Sequence, residues 1–235
     1  MTSSRLPGKV LADIGDIHVL DLLLHRLRGC SSVDEIVLAT TTNAQDDPLA
    51  GWAKASNIRC HRGSEHDVLK RVTEAHLLAE SDLVVEITGD CPLIDPEIVD
   101  WGVETFLKND CALVTNAWIP SFPGGFDFVV CRSVDLVAIE KSQSDPAIRE
   151  HLCLYLLENP LLFRPVHLVA PRHLRHPEFR VFIDEAEDLA LVKEILRRLS
   201  PSMGYDFGAK EVVDLLLREP DLPTMNAHCQ LKPIR

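Results

Sequence analysis

The residues with the clearest chemical potential stand at the start of the chain: Ser4-Arg5-Leu6-Pro7-Gly8-Lys9. Two cations flank a Pro-Gly bend, with hydroxyls just ahead of it. Proline cannot continue a strand ladder, and glycine reaches backbone angles that other residues avoid. Such a loop can turn N–H groups and cationic side chains toward one anion. Arginine offers phosphate oxygens a planar fork, and lysine a mobile point charge. A solvated surface turn would have the same composition, so the hexapeptide alone does not decide. Further along, Asp90 and Asp184 each follow a short apolar run. Carboxylates paired across a cleft suit Mg²⁺, which takes one or two protein oxygens and fills its shell with phosphate oxygens and water. Two plainer readings stay open. Asp184 could cap the helix after it, with Glu187 three residues on, and Asp90 could be a turn residue. Thr40-Thr41-Thr42-Asn43 follow another apolar run, and Thr42 and Asn43 read better as caps near the Pro48 helix.

These groups meet only if the elements beneath bring their ends together. Short apolar runs alternate with amphipathic segments. Helices are expected at Val19–Leu27, Pro48–Ala55 with Asp47 as cap, Asp67–Ala79, and from Asp95-Pro96 to about Leu107. Strands are expected at Glu35–Ala39, Ile58–Cys60, Leu83–Ile87 and Ala112–Val114. That β-α-β order implies parallel strands joined by right-handed crossovers. In the second half, strands are expected at Asp127–Cys131, Phe163–Val169 and Phe179–Ile183. Helices are expected at Ser133–Lys141, Asp145 to about Leu157, Asp184–Leu199 and Ala209–Leu217. In open α/β sheets ligands bind beyond the carboxyl ends of the strands, so Thr40, Asp90 and Asp184 should gather there, facing Arg5 and Lys9. The chain reads as one α/β domain over 1–235, with a smaller excursion near 115–170 and a C-terminal helix and tail near 205–235.

Composition narrows the class. The 235 residues are 46% hydrophobic, enough for a substantial core. No apolar run is long enough to span a membrane, and no signal-peptide pattern is seen. Seven scattered cysteines without a Cys-x-x-Cys pair read as reduced thiols, hence a cytoplasmic protein. The net charge of -12 argues against a general nucleic-acid surface. It leaves room for a nucleotide, which needs only a local cluster of cations and a metal ion.

Taken together, the motifs resemble those of the cytidylyltransferases. They are Ser4–Lys9, Ala39-Thr40-Thr41, Arg62-Gly63-Ser64-Glu65, Asp67-Val68-Leu69, Thr88–Asp95, Arg149-Glu150-His151 and Asp184–Leu189, with Asn226-Ala227-His228, Gln230 and Lys232 in the tail. The branch most resembled is that of spore coat polysaccharide biosynthesis and acylneuraminate-cytidylyltransferase-like proteins. The resemblance implies a Rossmann-like nucleotidyltransferase fold, a mostly parallel sheet flanked by helices. It implies transfer of a cytidylyl group from CTP to a sugar or sugar acid, with release of pyrophosphate, for surface polysaccharide. Arg5 and Lys9 are the expected catalytic cations. Ser4, Gly8, Thr40, Ser64, Asp67 and Arg71 would bind the nucleotide, although Arg71, one turn from Asp67, could simply pair with it. Asp90 and Asp184 would hold Mg²⁺, and Asp127, Glu150 and His151 would meet the acceptor. Relatives commonly form dimers, so a homodimer is possible; neither nucleic acid nor membrane is an expected partner.

Two departures qualify this. The family begins with a buried strand ahead of the phosphate loop, whereas here the loop opens at Met1. Without a central first strand, buried ladder groups would lack partners, at roughly 1–3 kcal/mol each, and a groove would cross the core. Either Met1 is internal to a longer protein, the expected case, or the short chain is real and its nucleotide site loosened. The second departure is Phe122–Val129, where Gly124 and Val129 replace acidic groups while Asp127 remains. Two alternatives therefore stand beside the main reading: a catalytically degenerate nucleotide- or partner-binding protein of this fold, and a nucleotidyl or glycosyl transferase with another acceptor.

Overall fold

The protein, a computed structural model, is described over residues 5–229. A 3₁₀ turn at Lys9–Leu11 leads to α1 (Val19–Leu27), β1 (Val37–Thr41), α2 (Asp47–Ala55), β2 (Arg59–Gly63), α3 (Val68–Ala79), β3 (Leu83–Glu86) and α4 (Pro96–Lys108). There follow β4 (Leu113–Thr115), β5 (Val129–Arg132), α5 (Ser133–Ser142), α6 (Pro146–Glu150), α7 (Leu154–Glu158), α8 (Pro160–Phe163) and β6 (Val166–His167). α9 (Ala186–Met203), α10 (Ala209–Arg218) and α11 (Asp221–Thr224) are the last helices of the described residues. None of the described helices is long and apolar enough to cross a membrane.

The architecture is α/β, with helices on the strands as expected. β1 and β2 pair in parallel, as do β4 and β6; β5 lies antiparallel between β3 and β4. β3, β4 and β6 thus share one direction and β5 alone opposes them.

The strands fall into two groups, β2-β1 and β3-β5-β4-β6. Among the described residues nothing pairs with the outer edge of β1 or of β3. Between those edges lies a cavity of about 380 Å³, lined by Val37 to Thr40 on one side and Val85 to Thr88 on the other. Side-chain alternation gives it two faces. Leu38, Val85 and Ile87 pack with Leu20 and Leu23 of α1 and Leu49 and Trp52 of α2. Val84 packs on the other side, with Leu69 and Val72 of α3.

Several local expectations need correction. Asp47 does not cap α2; it is the first helical residue, and Asp46 precedes it. Asp46 instead accepts hydrogen bonds from the Thr40 and Thr41 hydroxyls, both at 2.7 Å, which ties the end of β1 to the next turn. Asp95 and Asp145 do cap α4 and α6, accepting from the backbone N–H of Glu97 and Ala147. The helix expected from Asp145 to Leu157 is two short ones, α6 and α7, with His151 extended between them. Phe179–Ile183 keeps its alternation, with Phe179, Val181 and Ile183 buried. It forms no ladder, only a single bridge from Arg180 to Gly124. Gly125 allows that approach: its φ is +113°, and a Cβ there would lie 2.8 Å from the Phe182 nitrogen.

Candidate active site

The phosphate-loop expectation has a definite local form. Gly8 takes a left-handed conformation, φ +73°, which glycine accepts without strain. The Lys9 N–H bonds back to the Leu6 carbonyl, and the chain tightens into the Lys9–Leu11 turn. Lys9 thereby points at the two carboxylates. Its Nζ donates to Asp90 Oδ2 at 2.5 Å and to Asp184 Oδ1 at 2.7 Å. Arg5 donates from Nη2 to Asp184 Oδ2 at 2.5 Å and from Nη1 to Glu185 Oε1 at 3.2 Å. All five groups are largely covered, Lys9 most of all at 13% exposure. Side chains 175 and 81 residues from Lys9 therefore meet on one ammonium group.

The backbone explains why. The Ile183 N–H donates to the Asp90 carbonyl at 2.9 Å, so the two aspartate-bearing segments are stitched together at Asp90 itself and one residue before Asp184. Asp184 does not cap α9. Glu185 stands at the N-cap position, and the Asp188 carboxylate accepts from its N–H at 2.9 Å. Asp188 is 1% exposed. It accepts from Arg180 Nε and Nη2, both at 2.8 Å, from the backbone N–H of Asp184 and Glu185, and from Asn226. Burial alone would raise this carboxyl, but the Arg180 hydrogen bonds and the N–H donors hold it below its ordinary value. A buried, fully bonded carboxylate thus fixes the backbone from which Asp184 projects.

Electrostatics keep the centre charged. Burial pulls the Lys9 ammonium down, yet Asp90 and Asp184 outweigh it and the net shift is upward. Lys9 is therefore a cation at every physiological pH. Among the described residues the paired set holds three cations, Arg5, Lys9 and Arg180, against four carboxylates, Asp90, Asp184, Glu185 and Asp188. A triphosphate would meet a net negative crevice unless a divalent cation joined it. The Asp90 and Asp184 oxygens are hard donors and already share one cation, the Lys9 ammonium, which fits a hard metal ion.

The other expected residues lie around this centre or away from it. Asp127 accepts from the Gly125 N–H at 2.9 Å; burial pushes its carboxyl up, and the Asp90 charge adds to that. Thr40 is buried and engaged with Asp46. Ser64 accepts from the Asp67 N–H at 3.2 Å, and Asp67 caps α3 through the Lys70 N–H. Asp67 pairs with Arg149 rather than Arg71. Arg71 donates to the Ser64 carbonyl and lies against the cavity between β1 and β3, its Nε buried without a partner. No described hydrogen bond or ion pair joins Glu150 or His151 to the Lys9 cluster; α6 instead packs toward α3, and Arg149 bridges Asp67 and Glu140. Ser4, Gln230 and Lys232 lie outside the described residues. Sequence reasoning singled out neither Glu185, Asp188 nor Arg180 as a site residue. An aspartate in the first turn of α9, four residues after Asp184, was the available signal; nothing local marks Arg180.

Comparison with known proteins agrees with this geometry. The cytidylyltransferase family matches residues 1–195. The spore coat polysaccharide biosynthesis protein SpsF of Bacillus subtilis is 32% identical over 231 residues, covering 95% of this chain and 93% of that protein. A 3-deoxy-manno-octulosonate cytidylyltransferase of Nitratidesulfovibrio vulgaris is 35% identical over 120 residues, 49% of this chain and 46% of that enzyme. Among solved structures, a cytidylyltransferase from Leptospira borgpetersenii superposes with a TM-score of 0.89 at 28% identity, covering 99% of this chain and 95% of the other. The family match over residues 1–195, with 32% identity to SpsF across nearly the whole of both chains, shows that this chain belongs to the cytidylyltransferase family.

Proposed function

We propose that the chain transfers a cytidylyl group from CTP to a hydroxyl of a sugar or sugar acid during surface polysaccharide synthesis. The hydroxyl oxygen attacks the α-phosphorus and releases its proton to solvent, the bond from that phosphorus to the bridging oxygen breaks, and pyrophosphate leaves. One observation carries the reading: Lys9 holds Asp90 and Asp184 together at the mouth of the sheet. The SpsF relative and the partial match to a 3-deoxy-manno-octulosonate enzyme support the substrate class.

Asp90 and Asp184 would hold Mg²⁺, which when bound supplies positive charge to the phosphates. The chain's own groups do the rest. Lys9 and Arg5, paired with carboxylates when no ligand is bound, offer their N–H groups to the phosphate oxygens that gain charge as pyrophosphate departs. Gly8 keeps the loop tight enough for Lys9 to stay over the aspartates. Asp188, through the N–H groups of Asp184 and Glu185, keeps that edge of the crevice in place. Asp127, beside Asp90, is the group closest to an acceptor role; Ser64, Thr40 and Asp67 flank the end of β1, where a base and ribose would rest. A cytoplasmic setting, where CTP is available, suits this chemistry, and a homodimer is compatible with it.

Nucleotide preference in a thermal-shift titration tests the proposal. CTP with Mg²⁺ at 100 times its dissociation constant should stabilise the protein by about 2.7 kcal/mol, with smaller shifts from ATP, GTP and UTP at the same concentration. Equal shifts from all four, or none, would overturn it.

A further inference from the structure

Asn226 reaches the site described above, but His228 and Cys229, which follow it, have no role there. The fold nevertheless fastens them beside it. Asn226 is 3% exposed. Its Nδ2 donates to the Arg180 carbonyl at 3.0 Å and to Asp188 Oδ1 at 2.8 Å. Leu222 is buried and Met225 packs against the same core, so the α11 turn is anchored as well. The Cys229 N–H donates to the Asn226 carbonyl at 3.0 Å, which turns the chain back over the start of α9. His228 and Cys229 thereby meet Glu187 in the first turn of that helix.

Three donors of different kinds converge there. An imidazole nitrogen of His228, a carboxylate oxygen of Glu187 and the Cys229 Sγ all lie within 4.8 Å of one another. His228 Nε2 stands 3.8 Å from Glu187 Oε1. Zinc takes sulfur at about 2.3 Å and nitrogen or oxygen at about 2.0–2.2 Å, which puts the donors of one tetrahedral ion roughly 3.3–3.6 Å apart. Movements of little more than about 1 Å therefore close the set. The Glu187 and His228 side chains, 46% and 66% exposed, have room for them. Donor chemistry selects the ion. Imidazole and thiolate suit zinc and its neighbours, whereas Mg²⁺ and Ca²⁺ favour oxygen alone. The oxygen-only Asp90 and Asp184 pair and this mixed set thus call for different metals.

We propose that Glu187, His228 and Cys229 form a separate metal site, which takes a zinc-class divalent ion and clips the tail to the start of α9. On binding, the Cys229 thiol gives its proton to solvent and a sulfur lone pair to the metal. The tail needs no refolding, because Asn226 already holds it. The Cys229 sulfur also lies beside the Glu185 carboxylate, the partner of Arg5, so the clip borders the crevice. Neither CTP nor turnover enters the proposal.

Cobalt(II) is the probe, because it occupies zinc sites and reports its ligands by colour. Titrated into the reduced, untagged, metal-free protein, a single equivalent should give the visible bands of tetrahedral cobalt. A thiolate-to-cobalt charge-transfer band should accompany them in the near ultraviolet. Cys229→Ser should abolish the charge-transfer band, while Cys60→Ser, at another half-buried thiol, should leave it. His228→Ala and Glu187→Gln should each weaken cobalt binding about tenfold or more, since losing even an outer-shell partner commonly costs that much. Stoichiometric zinc should bleach the bands, and a large excess of Mg²⁺ should not. The proposal fails if the unaltered protein shows no charge-transfer band, if the band survives Cys229→Ser, or if Mg²⁺ removes it. It fails equally if neither His228→Ala nor Glu187→Gln weakens binding.

Discussion

The crevice at the carboxyl ends of the strands and the cavity a few residues beneath it are built in opposite ways. In the crevice every charged group has a partner: Lys9 on Asp90 and Asp184, Arg5 on Asp184 and Glu185, Arg180 on Asp188. In the cavity between β1 and β3, strand edges face open space, the Arg71 Nε is buried without a partner, and Arg71 is the charge that offsets the burial of the half-buried Glu86. Cross-links of charge and backbone thus hold the site's geometry even where the sheet below is discontinuous. The stitches that position Asp184, from Ile183 to Asp90 and from Asp188 to the α9 terminus, do not pass through the cavity.

The strongest way to break this contrast is to cut such a stitch. Asp188→Ala leaves the buried Arg180 with only the longer 3.8 Å contact to Asp184, and should cost about 3 kcal/mol, read as a lowered midpoint in denaturant unfolding. A loss below about 1 kcal/mol would mean the crevice is held some other way. Next comes the cavity. Burial raises the Glu86 carboxyl to about 7, so between its ordinary value of 4.5 and about 7 the folded chain holds a proton that the unfolded chain has released. Stability should therefore fall as pH rises through that window and level off above it. Glu86→Gln should remove this fall, leaving the variant more stable at pH 8 by on the order of 3 kcal/mol and little changed at pH 4. Parallel pH curves for the two proteins would contradict it. Lys9→Ala should lower turnover by about 10²-fold or more, as for loss of one preorganised electrostatic group, with the fold retained by circular dichroism. The smallest effect is a control that touches neither region. Lys108→Ala removes an exposed pair with Glu104 and should change stability by less than about 0.5 kcal/mol and turnover not at all.

Much of this division was legible in the residues. Periodicity placed α1 at Val19–Leu27 without error, and cap-then-proline placed the starts of α4 and α6. The same signal misled at Asp47-Pro48, because Asp46 bonds the Thr40 and Thr41 hydroxyls and the helix starts a residue early. Apolar alternation found the buried face of Phe179–Ile183 but not its lack of a ladder, which depends on where Gly124 and Asp90 lie in space. The convergence of Lys9, Asp90 and Asp184 followed from the rule that ligands gather at strand ends. Arg180 and Asp188 stayed invisible because their value lies in burial and in five hydrogen bonds from distant or backbone donors. Glu150 and His151 were carried over from the family motif; they stand at the end of α6, which packs on α3.

The central claim is that the Lys9, Asp90 and Asp184 cluster handles a triphosphate. Pyrophosphate release from CTP with Mg²⁺, assayed across a panel of sugar acids for the chain with and without Asp90→Asn, tests it most directly. The account predicts acceptor-dependent release that falls about 10²-fold or more in the variant. Release that is undiminished by Asp90→Asn would contradict it.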